Sequence, residues 1–243
     1  KDITVTFPLN VFIAVSGVSG SGKTTLIKQI LYPLLMHRMG EGQDKPGTHD
    51  SIEGDLKAIK KIEMVSQQPI GKSSRSNPVT YVKAYDAIRK LYSKQQAAKI
   101  KGFKPKHFSF NVEAGRCEVC KGAGETVVSM QFLADVRLEC DECGGMRFQK
   151  DVLQVRYKGK NIYETLAMTV DEAIAFFEEN EEVVAKLKPL SDVGLGYIGL
   201  GQPSSTLSGG EAQRVKLASF LVKEEQRDKI LFIFDEPTTG LHF

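Results

Sequence analysis

The 243-residue sequence predicts an α/β core interrupted by an α+β insertion that carries a four-cysteine module. Three observations carry that expectation. An apolar segment, VFIAVS (Val11–Ser16), runs into the glycine loop GVSGSGKT (Gly17–Thr24) and on into a stretch with Leu26, Ile27, Ile30, Leu31, Leu34 and Leu35 at helical spacing. A second apolar run, KILFIFDEP (Lys229–Pro237), ends in two acids, as a buried parallel strand does at a ligand-binding edge. Between the two lie CEVC (Cys117–Cys120) and CDEC (Cys140–Cys143), with nineteen residues separating the pairs.

Taken in order, the chain opens with an edge strand expected over Ile3–Phe7, then a buried strand over Val11–Ser16, the glycine loop and its helix. Pro33 falls late in that helix and should kink or end it. His37–Gly54 is polar and glycine-bearing, a surface loop. Ala58–Val65 reads as a strand entering a loop that begins at Gln67. A basic stretch follows, with a helix expected across Thr80–Tyr92. Glu125–Leu133 and Asp135–Cys140 form a hairpin pattern, and the alternation of Asp151–Tyr157 suggests another strand. One helix is expected over Thr169–Lys188, opened by a capping box of Thr169 with Glu172. Asp192–Gly210 is glycine-rich loop, and Glu211–Val222 is helical. The expected division is a core part at 1–70, an insertion at 71–190 with the cysteine module at about 111–150, and a second core part at 191–243.

Composition is that of a globular protein, 41% apolar and 26% charged, with no apolar run of membrane-spanning length and no signal-peptide pattern. A cytoplasmic protein with no membrane partner is expected. Because the first residue is Lys, the chain is expected to be a fragment or a processed piece. All four cysteines fall within positions 117–143. Paired spacing without a secretory signal favours metal over disulfides, and the C-x2-C…C-x2-C pattern suits a closed tetrahedral Zn²⁺ site on Cys117, Cys120, Cys140 and Cys143.

The glycine loop matches G-x-x-x-x-G-K-[ST] in full. Backbone N–H groups of Gly17, Val18, Ser19, Gly20, Ser21 and Gly22 would form an anion cradle at a helix start. Lys23 would meet the β- and γ-phosphates of ATP, and Thr24, followed by Thr25, would bring a hydroxyl to Mg²⁺. Asp235 suits a Mg²⁺ ligand and Glu236 the base that orients the attacking water. LSGGEAQR (Leu207–Arg214) is a second glycine-to-helix anion site, through Ser208, Gly209, Gly210 and Glu211.

LSGGEAQR resembles the signature motif of ABC-type ATPases, and that resemblance implies that it caps the γ-phosphate of ATP held by a facing ATPase domain. Gln67 then falls at the family's Q-loop position near the attacking water, with Gln68 as a neighbouring rival, and Thr238–Leu241 at its D-loop position. The family's switch-histidine strand lies downstream of Phe243, so the chain alone is expected to be weakly active or inactive. The zinc insertion, RSNPVTY, FSFNVEAGRCEVCKGAG, DVGLGYIGLGQPSSTLSGGEAQRVKLA and DEPTTGLHF resemble the C-terminal half of the UvrA family, the damage-sensing ATPases of bacterial nucleotide excision repair. The resemblance implies ATP, Mg²⁺ and Zn²⁺ as cofactors. As partners it implies damaged double-stranded DNA, a second ATPase domain of the same polypeptide, a UvrA homodimer and a UvrB-type nuclease-loading partner.

Charge supports a nucleic-acid partner more weakly. Residues 71–110 hold ten Lys or Arg against one acid, Asp86, a local +9 in a chain of net +3, so the remainder carries −6. Lys72, Arg75, Lys101, Lys104 and Lys106 are the candidate phosphate contacts, which need no base code. The rival expectation is the ATPase domain of a transporter or other protein-remodelling machine, separable by salt-sensitive duplex binding.

Overall fold

The computed structural model describes residues 3–42, 44–71, 73, 75–130, 135–222 and 229–237. It is a mixed α/β fold in two compact units, Lys1–Glu63 with Asp228–Phe232, and Met64–Arg227 with Ile233–Phe243.

In the first unit the glycine loop feeds a helix that winds as wide π turns over Thr25–Leu31 and tightens into α1, Tyr32–Arg38. The winding changes beside Pro33, which sits in the first turn of α1. A proline supplies no N–H there, so the register shifts where the ladder would otherwise be broken. The strands expected at Ile3–Phe7 and Val11–Ser16 do not form, and Phe12 is 92% exposed. Apolar sequence gives strand potential, but a strand exists only when a neighbour completes its ladder.

The described neighbours that do pair are β1, Lys61–Val65, and β4, Ile230–Phe234. They run parallel: Lys60 N–H donates to the Lys229 carbonyl at one end (2.8 Å) and Asp235 N–H to the Val65 carbonyl at the other (3.3 Å). β4 is not fully buried as its composition suggests. Ile233 is buried, while its neighbours are half-buried or, at Phe234, exposed.

The second unit holds the main core, a continuous cluster that includes Val79, Ile88, Tyr92, Phe108, Phe148 and Leu190. The helix expected across Thr80–Tyr92 is two: α2, Pro78–Tyr81, and α3, Ala84–Ser93, separated by Lys83 in the left-handed region (φ 60°). Asn77 caps α2 by accepting from Thr80 N–H, and α4, Gln96–Ile100, follows α3. Tyr92 is fully buried, and its hydroxyl donates to the Lys160 carbonyl (2.9 Å). Burial pushes its phenol far up, so it stays a neutral donor.

The strand expected at Asp151–Tyr157 is instead α5, Lys150–Leu153, and a turn. Val152 and Val155 are both buried, a spacing of three that suits a helical turn, whereas the strand expectation rests on the alternate positions Leu153, Val155 and Tyr157. After α6, Ile162–Leu166, the single helix expected over Thr169–Lys188 divides into α7, Val170–Phe176, and α8, Glu181–Asp192. The Thr169–Glu172 capping box is present, and Asn180 starts α8 by accepting from Val183 N–H (3.2 Å). α8 packs against α3, α7 and α9, the last spanning Gly209–Leu221.

The cysteine module leaves this core at Gly115 and returns at Gln149. Gln149 N–H donates to the Gly115 carbonyl (3.0 Å) and Cys117 N–H to the Arg147 carbonyl (2.8 Å). Within it β2, Glu125–Val128, pairs antiparallel with β3, Val136–Glu139, in the register Glu125↔Glu139 to Val128↔Val136.

Candidate functional site

The glycine loop is shaped by its backbone. Gly20 (φ 78°) and Gly22 (φ 91°) lie in the left-handed region, and a Cβ at either would meet nothing within 4 Å. Glycine is required there for conformation, not space. Lys23 Nζ donates to the carbonyls of Gly17 and Val18, each at 2.8 Å. A lysine amine, the Thr24 and Thr25 hydroxyls and a run of N–H groups at a helix start make a donor set that fits a polyphosphate. Thr24 itself has helical dihedrals and makes no side-chain cap.

In the second unit the structure brings three predicted groups together. Gln67 Nε2 donates to the backbone carbonyl of Glu236 (3.3 Å). A Cβ on Gly209 would sit 2.9 Å from Gln67 Oε1 and 3.0 Å from Gln67 Cβ, so the start of α9 lies closely against this side chain. Glu236 is exposed and held at φ 47°, an uncommon conformation for a residue with a Cβ. Asp235, half-buried, is fixed through its backbone: its N–H donates to Val65 and its carbonyl accepts from Gln213 Nε2 (3.0 Å). Gln68 is exposed.

Ser208 and Glu211 close a capping box at the start of α9, each side chain accepting from the other's backbone N–H. The Tyr197 hydroxyl donates to Glu211 Oε1 (2.7 Å). Burial opposes ionisation of Glu211, but the hydrogen bonds from Tyr197 and Ser208 outweigh it and hold the carboxyl below its usual range. Gly209 and Gly210 supply N–H groups in the first turn. Sequence reasoning missed Gln213 and Lys216 on this helix. Gln213 is buried yet polar, and Lys216 Nζ donates to the carbonyls of Ser66 (2.8 Å) and Gln68 (2.7 Å). The signal available was two polar residues at i and i+3 on the buried side of a helix.

All four cysteines are buried, and their sulfurs lie within 4.8 Å of one another. A tetrahedral site with Zn–S bonds of about 2.3 Å has S···S edges of about 3.8 Å. Cys117–Cys140 at 3.9 Å and Cys120–Cys143 at 3.7 Å match that edge. Gly124 N–H points at Cys120 Sγ (3.3 Å), as thiolate ligands require of their surroundings. Burial pushes the Cys117 and Cys143 thiols up, while the Cys143 backbone N–H pulls Cys140 down. Four crowded thiols can all ionise only beside a cation, so the cluster is capable of metal coordination.

The basic stretch is not uniform. Lys101 Nζ is engaged by Asp151 Oδ1 (2.8 Å) and Gln154 Oε1 (2.6 Å). Lys104 and Lys106 are exposed around the turn Pro105–Phe108, and Arg75 is half-buried. Lys72 and the Thr238–Leu241 segment lie outside the described residues.

No protein-family model matches the chain. Curated relatives match it from end to end. UvrABC system protein A of Clostridium tetani is 51% identical over 242 residues, 100% of this chain and 26% of the relative. The proteins of the same name from Bacillus subtilis and Methanothermobacter thermautotrophicus are each 50% identical, again over 100% of this chain and 25% of theirs. The crystal structure of UvrA2 from Deinococcus radiodurans superposes with a TM-score of 0.83 at 45% identity, covering 93% of this chain and 26% of that one. The chain thus spans about a quarter of the length of the relatives it matches. Along its whole length it is similar to one segment of UvrABC system protein A.

Proposed function

We propose that the chain is the ATP- and zinc-binding segment of a DNA damage recognition subunit of nucleotide excision repair, hydrolysing ATP at a composite site to control damaged-DNA binding and the loading of a nuclease partner. The observation that supports this best is end-to-end homology to UvrA in a chain whose four cysteine sulfurs form a metal-sized cluster. Lys23 and the N–H groups of the glycine loop bind the phosphates, and Thr24, Thr25 and Asp235 are assigned to Mg²⁺. Bound Mg²⁺ neutralises charge on the phosphates as it develops. Glu236 and Gln67 orient the attacking water. Ser208, Gly209, Gly210 and Glu211 serve the nucleotide of a facing ATPase domain, in the same polypeptide or in a homodimer. Cys117, Cys120, Cys140 and Cys143 hold Zn²⁺ as a structural site, since a fully protein-ligated tetrahedron leaves no open position. Arg75, Lys104 and Lys106 reach DNA phosphates, with Lys72, and Lys101 joins them only if it gives up Asp151. A UvrB-type partner and a cytoplasmic setting complete the proposal. Among the described residues no helix is long and apolar enough to cross a membrane.

The test uses the full-length protein that carries this segment. Duplex DNA with and without a bulky lesion is titrated at two salt concentrations, with and without ATP. Preference for the lesion that changes with ATP is the expected result. Lys23→Ala should weaken ATP binding about thirtyfold, the scale of a lost charge-assisted hydrogen bond. Unchanged ATP affinity in that variant removes the glycine loop from the nucleotide site.

A further inference from the structure

Lys216 lies about two turns into α9 from Ser208. Its amine donates to the carbonyls of Ser66 and Gln68, the residues on either side of Gln67, and more distantly to Ser66 Oγ (3.4 Å). One cation therefore brackets the peptide units that carry Gln67. Its three donors meet three neutral oxygens, which replace the water that partial burial removes. That burial lowers the amine below its ordinary range. One turn earlier Gln213, 4% exposed, donates through a single amide nitrogen to the carbonyls of Val65 (2.9 Å) and Asp235 (3.0 Å). At the helix start Gly209 lies against the Gln67 amide itself. So α9 grips residues 65–68 from three positions, and the same helix presents the signature at its N-terminus.

We propose that Lys216 is a positioning residue for ATP hydrolysis: it ties the loop bearing Gln67 to the signature helix, so that a displacement of α9 is delivered to the Gln67–Glu236 pair. The proposal rests on the nucleotide reading given above. A packing role alone would be met by an apolar side chain of similar length, because the stem of Lys216 fills the same space as methionine. A positioning role requires the amine.

The experiment compares Lys216→Met, Lys216→Gln and Lys216→Arg in the full-length protein with the parent, after checking that thermal midpoint and zinc content match. Two quantities are read: hydrogen exchange of the amides in residues 65–70 without nucleotide, and steady-state ATP hydrolysis. Lys216→Met should exchange about tenfold faster in that segment. Its kcat should fall about tenfold while KM stays within about twofold, the pattern of a misplaced catalytic group. Lys216→Arg should restore most of both effects, and Lys216→Gln, which keeps a neutral donor, should fall between. Should Lys216→Met not fold, the graded series from arginine to glutamine carries the same comparison. Unchanged exchange, or faster exchange with parental kcat, overturns the proposal while the parent still turns over ATP. A parent with no ATP turnover overturns the nucleotide reading itself, and the role of Lys216 with it.

Discussion

The glycine loop and the cysteine module are both short glycine-rich segments with unambiguous sequence patterns, yet they stand in opposite relation to their surroundings. The module makes its own environment. Its cysteines bury one another, its hairpin joins the two turns, and its base closes on two backbone hydrogen bonds. The glycine loop is shaped within itself, but the apolar segment that enters it has Val11 60% and Phe12 92% exposed and forms no strand. The difference teaches where information resides. A ligand cluster is fixed by contacts inside some thirty residues of chain, whereas a parallel strand is fixed by neighbours far away in sequence.

The largest expected effect tests the module's self-sufficiency. Cys140→Ser removes one of four ligands, and structural Zn²⁺ contributes apparent binding energies of about 10–16 kcal/mol to such folds. Zinc should fall from one per chain to near zero. Hydrogen exchange should lose protection across residues 115–149 while the helices of the main core keep theirs. A full zinc complement in that variant would break the comparison at its stronger end.

A smaller effect calibrates what a purely local device contributes. Thr169→Ala removes the N-cap of α7 and should cost about 1 kcal/mol in denaturant unfolding. A loss several times larger would mean that Thr169 holds more than its own helix start. The smallest effect addresses the exposed entry to the glycine loop. In the 243-residue chain Phe12→Ser should change stability by no more than about 0.5 kcal/mol, since an exposed ring contributes little packing. A loss of about 3 kcal/mol, typical of a buried aromatic, would show that Val11–Ser16 is covered in solution and erase the contrast between the two regions.

What the sequence made legible follows the same division. Thr169 with Glu172 and the four cysteines were readable because their partners lie at fixed short spacings. Lys83 gives no warning that it takes a left-handed conformation and splits a helix, because nothing in a lysine marks that choice. Asp151–Tyr157 misleads because apolar residues at 152, 153 and 155 satisfy two periods at once, and packing of Val152 and Val155 decides for the helix. At the candidate site, Gln67, Asp235, Glu236 and the signature were visible as motif positions. Lys216 and Gln213 leave only a faint mark, two polar residues on the buried side of a helix, and no side-chain pattern names their partners, which are backbone carbonyls about 150 residues earlier in the chain and, for Gln213, that of Asp235 as well.

The closure of the cysteine module at Gly115 and Gln149 has one further consequence. A segment that departs and returns through adjacent residues transmits little of its own length to the scaffold beneath it. The hairpin can therefore be long or short, stiff or bent, at almost no cost to the helices that carry it. Its ends are a doorway of fixed width, and the entropic cost of bringing those ends together grows only with the logarithm of the loop length. An extension on such a footing can be reshaped to meet different surfaces while the core on which it stands keeps a single form.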